Sequence, residues 1–267
     1  MHGAIMVITD FLEKNARLAG EEVALVEINP SEERDNAVTW RDFSLIENTR
    51  PDLPYRREMT WAQFDTKANR FANLLLSRGM KRGTKVGILL MNCLEWLPIY
   101  FGILKAGCLA VPLNFRYSSE EIAYCLDLAD VEALVFGPEF TGRIEPLLDA
   151  EGRLGRTHTL FFVGSEVPAF AESYRELVNY CAPSAPPVVL EEDDHAAIYF
   201  SSGTTGSPRP YSTRTARWSI PAAPRPPITG RSTTTSSSAS RRSTTPARRC
   251  TGSAPCSPAP RPCSCAA

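Results

Sequence analysis

The residues with the clearest chemical capacity are Ser201-Ser-Gly-Thr-Thr-Gly206, hydroxyls and glycines only, followed by Ser207, Pro208 and the cation Arg209. Glycines let main-chain N–H groups approach an anion, the hydroxyls of Ser201, Ser202, Thr204 and Thr205 donate hydrogen bonds, and Arg209 adds charge. Each charge-assisted bond contributes roughly 1.5 to 3 kcal/mol, so several together would hold a polyphosphate. The same composition also makes an ordinary polar turn, and position and order must decide between the two. The candidate binding set is therefore Ser201, Ser202, Gly203, Thr204, Thr205, Gly206 and Arg209. No residue is assigned a catalytic acid–base role and no metal ligand set is assigned. Glu191, Glu192, Asp193 and Asp194 read as a solvated charge run, and His195 as structural or exposed.

A loop can act only if an element holds it in place. Ala196 to Phe200 has the length and the β-branched and aromatic content of a buried strand, and Gly203 and Gly206 prevent its continuation. The loop is thus expected to open at Ser201, at a strand end. Upstream, Thr9 to Leu18 reads as a helix with Asp10 as N-cap, and Val23 to Ile28 as a strand. Asn29 to Arg57 is acidic, weakly periodic and reads as a hairpin or insertion. Thr60 caps a helix whose Phe64, Ala68, Phe71, Leu75 and Leu76 form one apolar stripe, closed by Gly79.

Lys81 to Lys85 is a basic turn, and Val86 to Leu90 an apolar strand of the kind buried in parallel sheets. Leu94 to Ala106 reads as a helix closed by Gly107, Cys108 to Val111 as a strand stopped by Pro112, and Ser118 to Leu128 as a helix. Strands are expected at Ala133 to Phe136 and Leu160 to Val163. Helices alternating with short apolar strands imply an α/β fold: a layered, mostly parallel sheet flanked by helices, with ligands outside the carboxyl ends of the strands.

Composition divides the chain in two. Of 267 residues with net charge −1, residues 210–267 hold nine Arg and no Asp, Glu or Lys, so residues 1–209 carry a balance of −10. Met1 to Thr9 lacks the basic start of a targeting segment. The apolar stretch Trp96 to Leu113 is interrupted by Lys105, Gly107, Pro98 and Pro112, which argues against a membrane span. Cys93, Cys108, Cys125 and Cys181 sit singly among apolar residues, as free core thiols do. A cytoplasmic location is the expectation from these features.

Tyr199-Phe-Ser-Ser-Gly-Thr-Thr-Gly-Ser-Pro-Arg209 resembles the phosphate-binding loop of the AMP-forming acyl-CoA synthetases, members of the adenylate-forming superfamily. No Gly-Lys-Ser/Thr follows the second glycine, so it is not a Walker loop. The family loop usually ends Pro-Lys-Gly, whereas this chain has Arg209 and Pro210, which keep the charge but alter its geometry and remove a donor. Met59-Thr-Trp-Ala-Gln-Phe64, Val86 to Asn92 with Glu95-Trp96, and Lys105-Ala-Gly-Cys-Leu-Ala-Val-Pro-Leu-Asn114 are similar to family segments in the same order. The resemblance runs from about Asp10 to Arg209.

It implies carboxylate activation by ATP with Mg2+, then transfer to CoA, as in fatty acid metabolism. The partners implied are a small-molecule carboxylic acid and ATP, with no transmembrane segment and no nucleic acid. By the same resemblance Thr204, Thr205 and the amides of Ser202 to Gly206 hold the β- and γ-phosphates, and Arg209 replaces the loop lysine. The family's adenine, ribose and magnesium contacts and its C-terminal lysine lie beyond this point, so a truncated, inactive ligase of poor solubility is expected.

From Pro210 on, Leu, Val, Phe and Met vanish, and Ser, Thr, Pro, Arg and Ala dominate. Such a segment cannot bury enough apolar surface to offset backbone ordering, so residues 210–267 are expected to be disordered. Two origins compete. One is a native arginine-rich arm on a non-catalytic binding protein, contacting nucleic-acid phosphates. The other is a shifted reading frame near codon 209. Read from the third base of Tyr211, with TCN serines and CGN arginines, residues 211–221 permit Leu-His-Thr-His-Gly-Ala-Leu-Val-Asn-Ser, which is similar to the family's continuation. The domains expected are thus residues 1–209, part of the adenylate-forming body, and 210–267, a frameshifted tail.

Overall fold

The computed structural model describes residues 7–28, 56–148, 154–202 and 208–214. The first helix, α1 (Ile8–Leu18), is followed by an antiparallel pair, β1 (Val23–Ile28) and β2 (Arg56–Thr60). Asp10 caps α1 from inside its first turn, its Oδ2 accepting from Val7 N at 3.0 Å, so the helix begins two residues before the expected N-cap. Residues 29–55, expected to form a hairpin or insertion, lie outside the described residues, while Arg56 and Arg57 belong to β2.

Helix α2 (Trp61–Ser77) opens with a reciprocal cap: Thr60 Oγ1 accepts from Gln63 N, and Gln63 Oε1 accepts from Thr60 N at 3.0 Å. Of its expected apolar stripe, Phe64, Ala68, Phe71 and Leu75 are buried, and Leu76 is half-buried against the same side of the sheet. Then come β3 (Lys85–Leu89), α3 (Trp96–Lys105), β4 (Leu109–Pro112), α4 (Ser119–Leu128) and β5 (Val131–Phe136). Gly79 (φ +78°) and Gly107 (φ +74°) take the left-handed conformation just beyond α2 and α3, the role their positions implied. A 3-10 turn at Pro138–Phe140 leads into α5 (Thr141–Leu148), and β6 (Thr159–Phe162), β7 (Glu172–Ser173) and α6 (Tyr174–Tyr180) follow. The described chain ends in β8 (His195–Ser202) and β9 (Pro208–Arg214).

Seven strands form one sheet in the order β7-β6-β5-β3-β4-β8-β9. All pairings are parallel except β8–β9, which is antiparallel. Side chains of the central strands alternate between two cores, as strand geometry requires. Val86, Ile88, Val135 and Phe161 pack into one core with Phe71 of α2 and Ile103 of α3. Leu89, Leu134, Phe136 and Phe162 pack into the other with Ile122 and Leu126 of α4 and Ile144 of α5. Leu12, Met59, Phe64 and Ala68 form a third, smaller cluster where α1 and β2 meet α2.

Among the described residues, no helix is long and apolar enough to cross a membrane. Beneath α1, Lys105 is buried and donates to Glu13 Oε1 at 2.8 Å, Asp65 Oδ1 at 2.7 Å and Asn69 Oδ1 at 2.7 Å, tying three helices together. All three ammonium protons are satisfied, which is what makes this buried cation tolerable.

Two expectations need correction. Strand β8 continues through Ser202 instead of ending at Phe200, because antiparallel pairing with β9 extends the ladder past the apolar run. The segment expected to be disordered from Pro210 is strand as far as Arg214. Residues 215–267 lie outside the described residues.

Candidate functional site

Strand β8 carries the candidate loop. It runs parallel to β4, with Ala110 opposite Ala197, so its carboxyl end lies along the same rim as those of β3, β4, β5 and β6. That rim is where ligands bind in open α/β sheets. Ala196 and Ala197 are fully buried, Tyr199 packs against the first core, and Ile198 and Phe200 against the second. Small residues at the start of β8 let it seat between β4 and β9, and the larger ones beyond them lock its register.

Two further contacts fix the strand, neither of them anticipated. The hydroxyls of Tyr100 on α3 and Tyr199 on β8 are 3.0 Å apart, and Trp96 stacks on Tyr100 with ring centroids 5.5 Å apart. Burial and the neighbouring hydroxyl push the Tyr100 phenol well above its usual range, so it stays protonated and available to this bond. On the other side, Tyr199 and Tyr211 of β9 stack at 5.8 Å. Before β8, Asp194 receives Arg82, which also donates to Val189 O at 2.7 Å, while Asp193 pairs with Arg214 of β9. The acidic run is thus partly an anchor, and not only a solvated face. Nothing in the spacing of Arg82 and Asp194 signals this, since the two are 112 positions apart. His195 is exposed, one of the two states expected of it.

The candidate set divides as follows. Ser201 and Ser202 are the last residues of β8. Ser201 lies opposite Arg209 in the ladder and donates from Oγ to Arg209 O at 3.4 Å, so hydroxyl and cation stand on adjacent strands at the mouth of the hairpin. Gly203, Thr204, Thr205 and Gly206 connect the two strands and lie outside the described residues. The hairpin from His195 to Arg214 contains no Asp or Glu. A cavity of about 670 Å³ lined by Asp10, Glu13, Lys105, Val188, Glu191 and Asp193 lies at the start of β8, away from the loop.

A family model described as AMP-binding enzyme matches residues 13–212. The chain belongs to the AMP-binding enzyme family.

The family match ends within β9, close to where the sequence changes composition. The chain is 31% identical over 183 residues to the crotonobetaine/carnitine–CoA ligase of Salmonella paratyphi A, an alignment covering 64% of this chain and 34% of that protein. It is 32% identical over 154 residues to a medium/long-chain-fatty-acid–CoA/3-oxocholest-4-en-26-oate–CoA ligase of Mycobacterium tuberculosis, covering 57% and 28% respectively. It therefore spans about a third of the length of the curated relatives that it matches. Among solved structures, the anthranilate CoA ligase AuaEII in complex with anthranoyl-AMP superposes with a TM-score of 0.65 at 24% identity, over 80% of this chain and 36% of that one. The inhibitor-bound N-terminal domain of FACL13 from Mycobacterium tuberculosis superposes at 0.62 and 24% identity, over 78% and 44%. These superpositions establish the fold: the chain is a fragment of the adenylate-forming architecture.

Proposed function

We propose that the β8–β9 hairpin grips the β- and γ-phosphates of ATP, and that the chain is the nucleotide-gripping fragment of an acyl-CoA ligase. The pairing of Ser201 with Arg209 at the carboxyl end of β8 supports this reading most strongly, since it brings a hydroxyl and a cation to the mouth of a glycine-rich connection. In this reading Thr204, Thr205 and the amides of Ser202 to Gly206 donate to phosphate oxygens while Arg209 balances their charge. With no carboxylate in the hairpin, Mg2+ would be held by the phosphates themselves and by residues elsewhere.

The ligase reaction has two steps. An oxygen of the substrate carboxylate attacks the α-phosphorus, the bond to the β-phosphate breaks, and pyrophosphate leaves. The sulfur of CoA then displaces AMP from the acyl carbon. The loop's task in the first step is positioning and charge stabilisation of the departing phosphates. The relatives' names point to a carboxylic acid as acyl donor.

A chain of this length, a third of its relatives, is expected to bind phosphate without completing adenylation. Isothermal titration with MgATP and with pyrophosphate tests the grip. Arg209→Gln is expected to weaken binding by about tenfold or more, the equivalent of one charge-assisted bond, and no detectable binding by the unaltered chain overturns the reading. ATP–pyrophosphate exchange with a panel of carboxylic acids tests the second half. Background exchange is expected, and robust exchange overturns the inactive assignment.

A further inference from the structure

Strand β9 pairs with β8 from Pro208 to Arg214 at the edge of the sheet, with little apolar content of its own. Pro208 and Pro210 offer no N–H to a ladder, Tyr211 is 53% exposed, and Thr213 is buried with no partner for its Oγ1 among the described residues. Apolar side chains hold β3, β5 and β6 in place, whereas β9 is held mainly by its ladder, the Tyr199–Tyr211 stack and the Asp193–Arg214 ion pair.

Beyond β9 the residue types themselves carry the argument. Consider the frame that joins the third base of one codon to the first two of the next. Every Cys, encoded TGY, then yields Leu, Met or Val, and so does Trp. Every Ser encoded TCN yields Phe, Leu, Ile or Val, narrowed to Phe or Leu when it follows Cys or Tyr. Ala and Pro yield only Gly, Ala, Ser, Thr, Pro, Arg or Cys, and Arg encoded CGN only Ala, Ser, Thr or Pro.

The tail's odd cysteines therefore become its missing large apolar residues. With TCN serines and CGN arginines, the codons ending at Cys250, Ser253, Cys256 and Ser257 all specify large apolar residues, at positions i, i+3, i+6 and i+7. That is one face of a helix. Between Pro258 and Pro262 only small residues or Arg are permitted. Cys263, Ser264 and Cys265 then give three consecutive large apolar residues, the pattern of a strand buried on both faces.

We propose that residues 211–265 are the out-of-frame reading of one continuous segment whose neighbouring frame encodes further α/β structure, including a helix followed by a buried strand. This extends the helix–strand alternation of the body beyond β9, and it rests on the reading of the chain as a ligase fragment. The shift is single, lies near codon 209, and is not reversed before Cys265.

The nucleotide sequence across codons 205–267 tests it directly. TCN codons at Ser253, Ser257 and Ser264, with a neighbouring frame open past codon 267, are the expected result. AGC or AGT at these serines puts Gln, Lys, Glu or a stop on the apolar face and overturns the proposal, as does a stop anywhere else in that frame. A second readout is a gene restored by one base at codon 209, expressed beside the present chain. A shift from the insoluble to the soluble fraction and a gain of ATP–pyrophosphate exchange above background are expected. Equal insolubility and equal background exchange count against the proposal. Phosphate binding by the loop of the present chain is a separate measurement, so its failure would not be mistaken for this one.

Discussion

Two parts of the same sheet differ sharply. In β3, β5 and β6, the apolar side chains point into one of two packed cores, and the strands are parallel and covered on both faces. In β9, at the far edge, Pro210, Tyr211, Ser212 and Arg214 are exposed and Thr213 alone is buried. The parallel strands are held by burial and the edge strand by its ladder, a stacked tyrosine pair and an ion pair. A backbone ladder can therefore recruit a sequence with little apolar content, but only at an edge, where a partner is needed on one side.

The largest test of that contrast is Phe136→Ala. This fully buried ring lies edge-on to Phe162 and stacks on Phe170. Its loss is expected to cost about 3–5 kcal/mol in urea denaturation, while Tyr211→Ala on β9 stays within about 1 kcal/mol. Equal costs would mean that β9 belongs to the core after all.

Next comes Lys105→Met, which keeps the volume but removes the cation and leaves the Asp65 carboxylate facing an apolar side chain. A loss of about 3 kcal/mol is expected by the same measurement, near the low end for breaking a buried pair.

The thiols give a pH signature. Burial pushes Cys108 and Cys125 up to about 12 from an ordinary value of 9.0. A raised thiol pKa means that the folded chain keeps a proton that the unfolded chain loses. The stabilisation is fully present below pH 9 and is lost as pH rises toward 12. At pH 10 the loss is on the order of 1 kcal/mol for each thiol, and replacing both with Ala should lessen the fall in stability above the ordinary thiol value of 9.0, read as the denaturation midpoint against pH.

The smallest effect separates the regions most finely. Thr213→Val removes a buried hydroxyl that has no partner among the described residues and is expected to be neutral or to stabilise by up to about 1 kcal/mol. A clear destabilisation would show that the hydroxyl is paired in solution.

Much of the body was legible in advance because burial on both faces writes itself as uninterrupted apolar runs, as at Val86 to Leu90 and Leu160 to Val163. Helices with strong stripes and caps, such as α2 with Thr60 and Gly79, were equally plain. Helix α5 was hidden by Gly142 and Pro146 within it, and α6 by its shortness. Strand β9 was invisible, since two prolines and two arginines leave only Tyr211 and Thr213 as strand formers, and the segment pairs because β8 offers an edge.

By itself the sequence determined the alternating α/β body and the type of chemistry available at Ser201 to Arg209, because apolar periodicity and glycine–hydroxyl composition are local properties. Only the tertiary structure decided that Ser201 faces Arg209, that Tyr100 and Arg82 brace β8 and its approach, and that Pro208 to Arg214 form a strand. Those outcomes depend on strand pairing and on contacts about a hundred residues apart in the chain, and distance along the chain carries no trace of them until the sheet has closed.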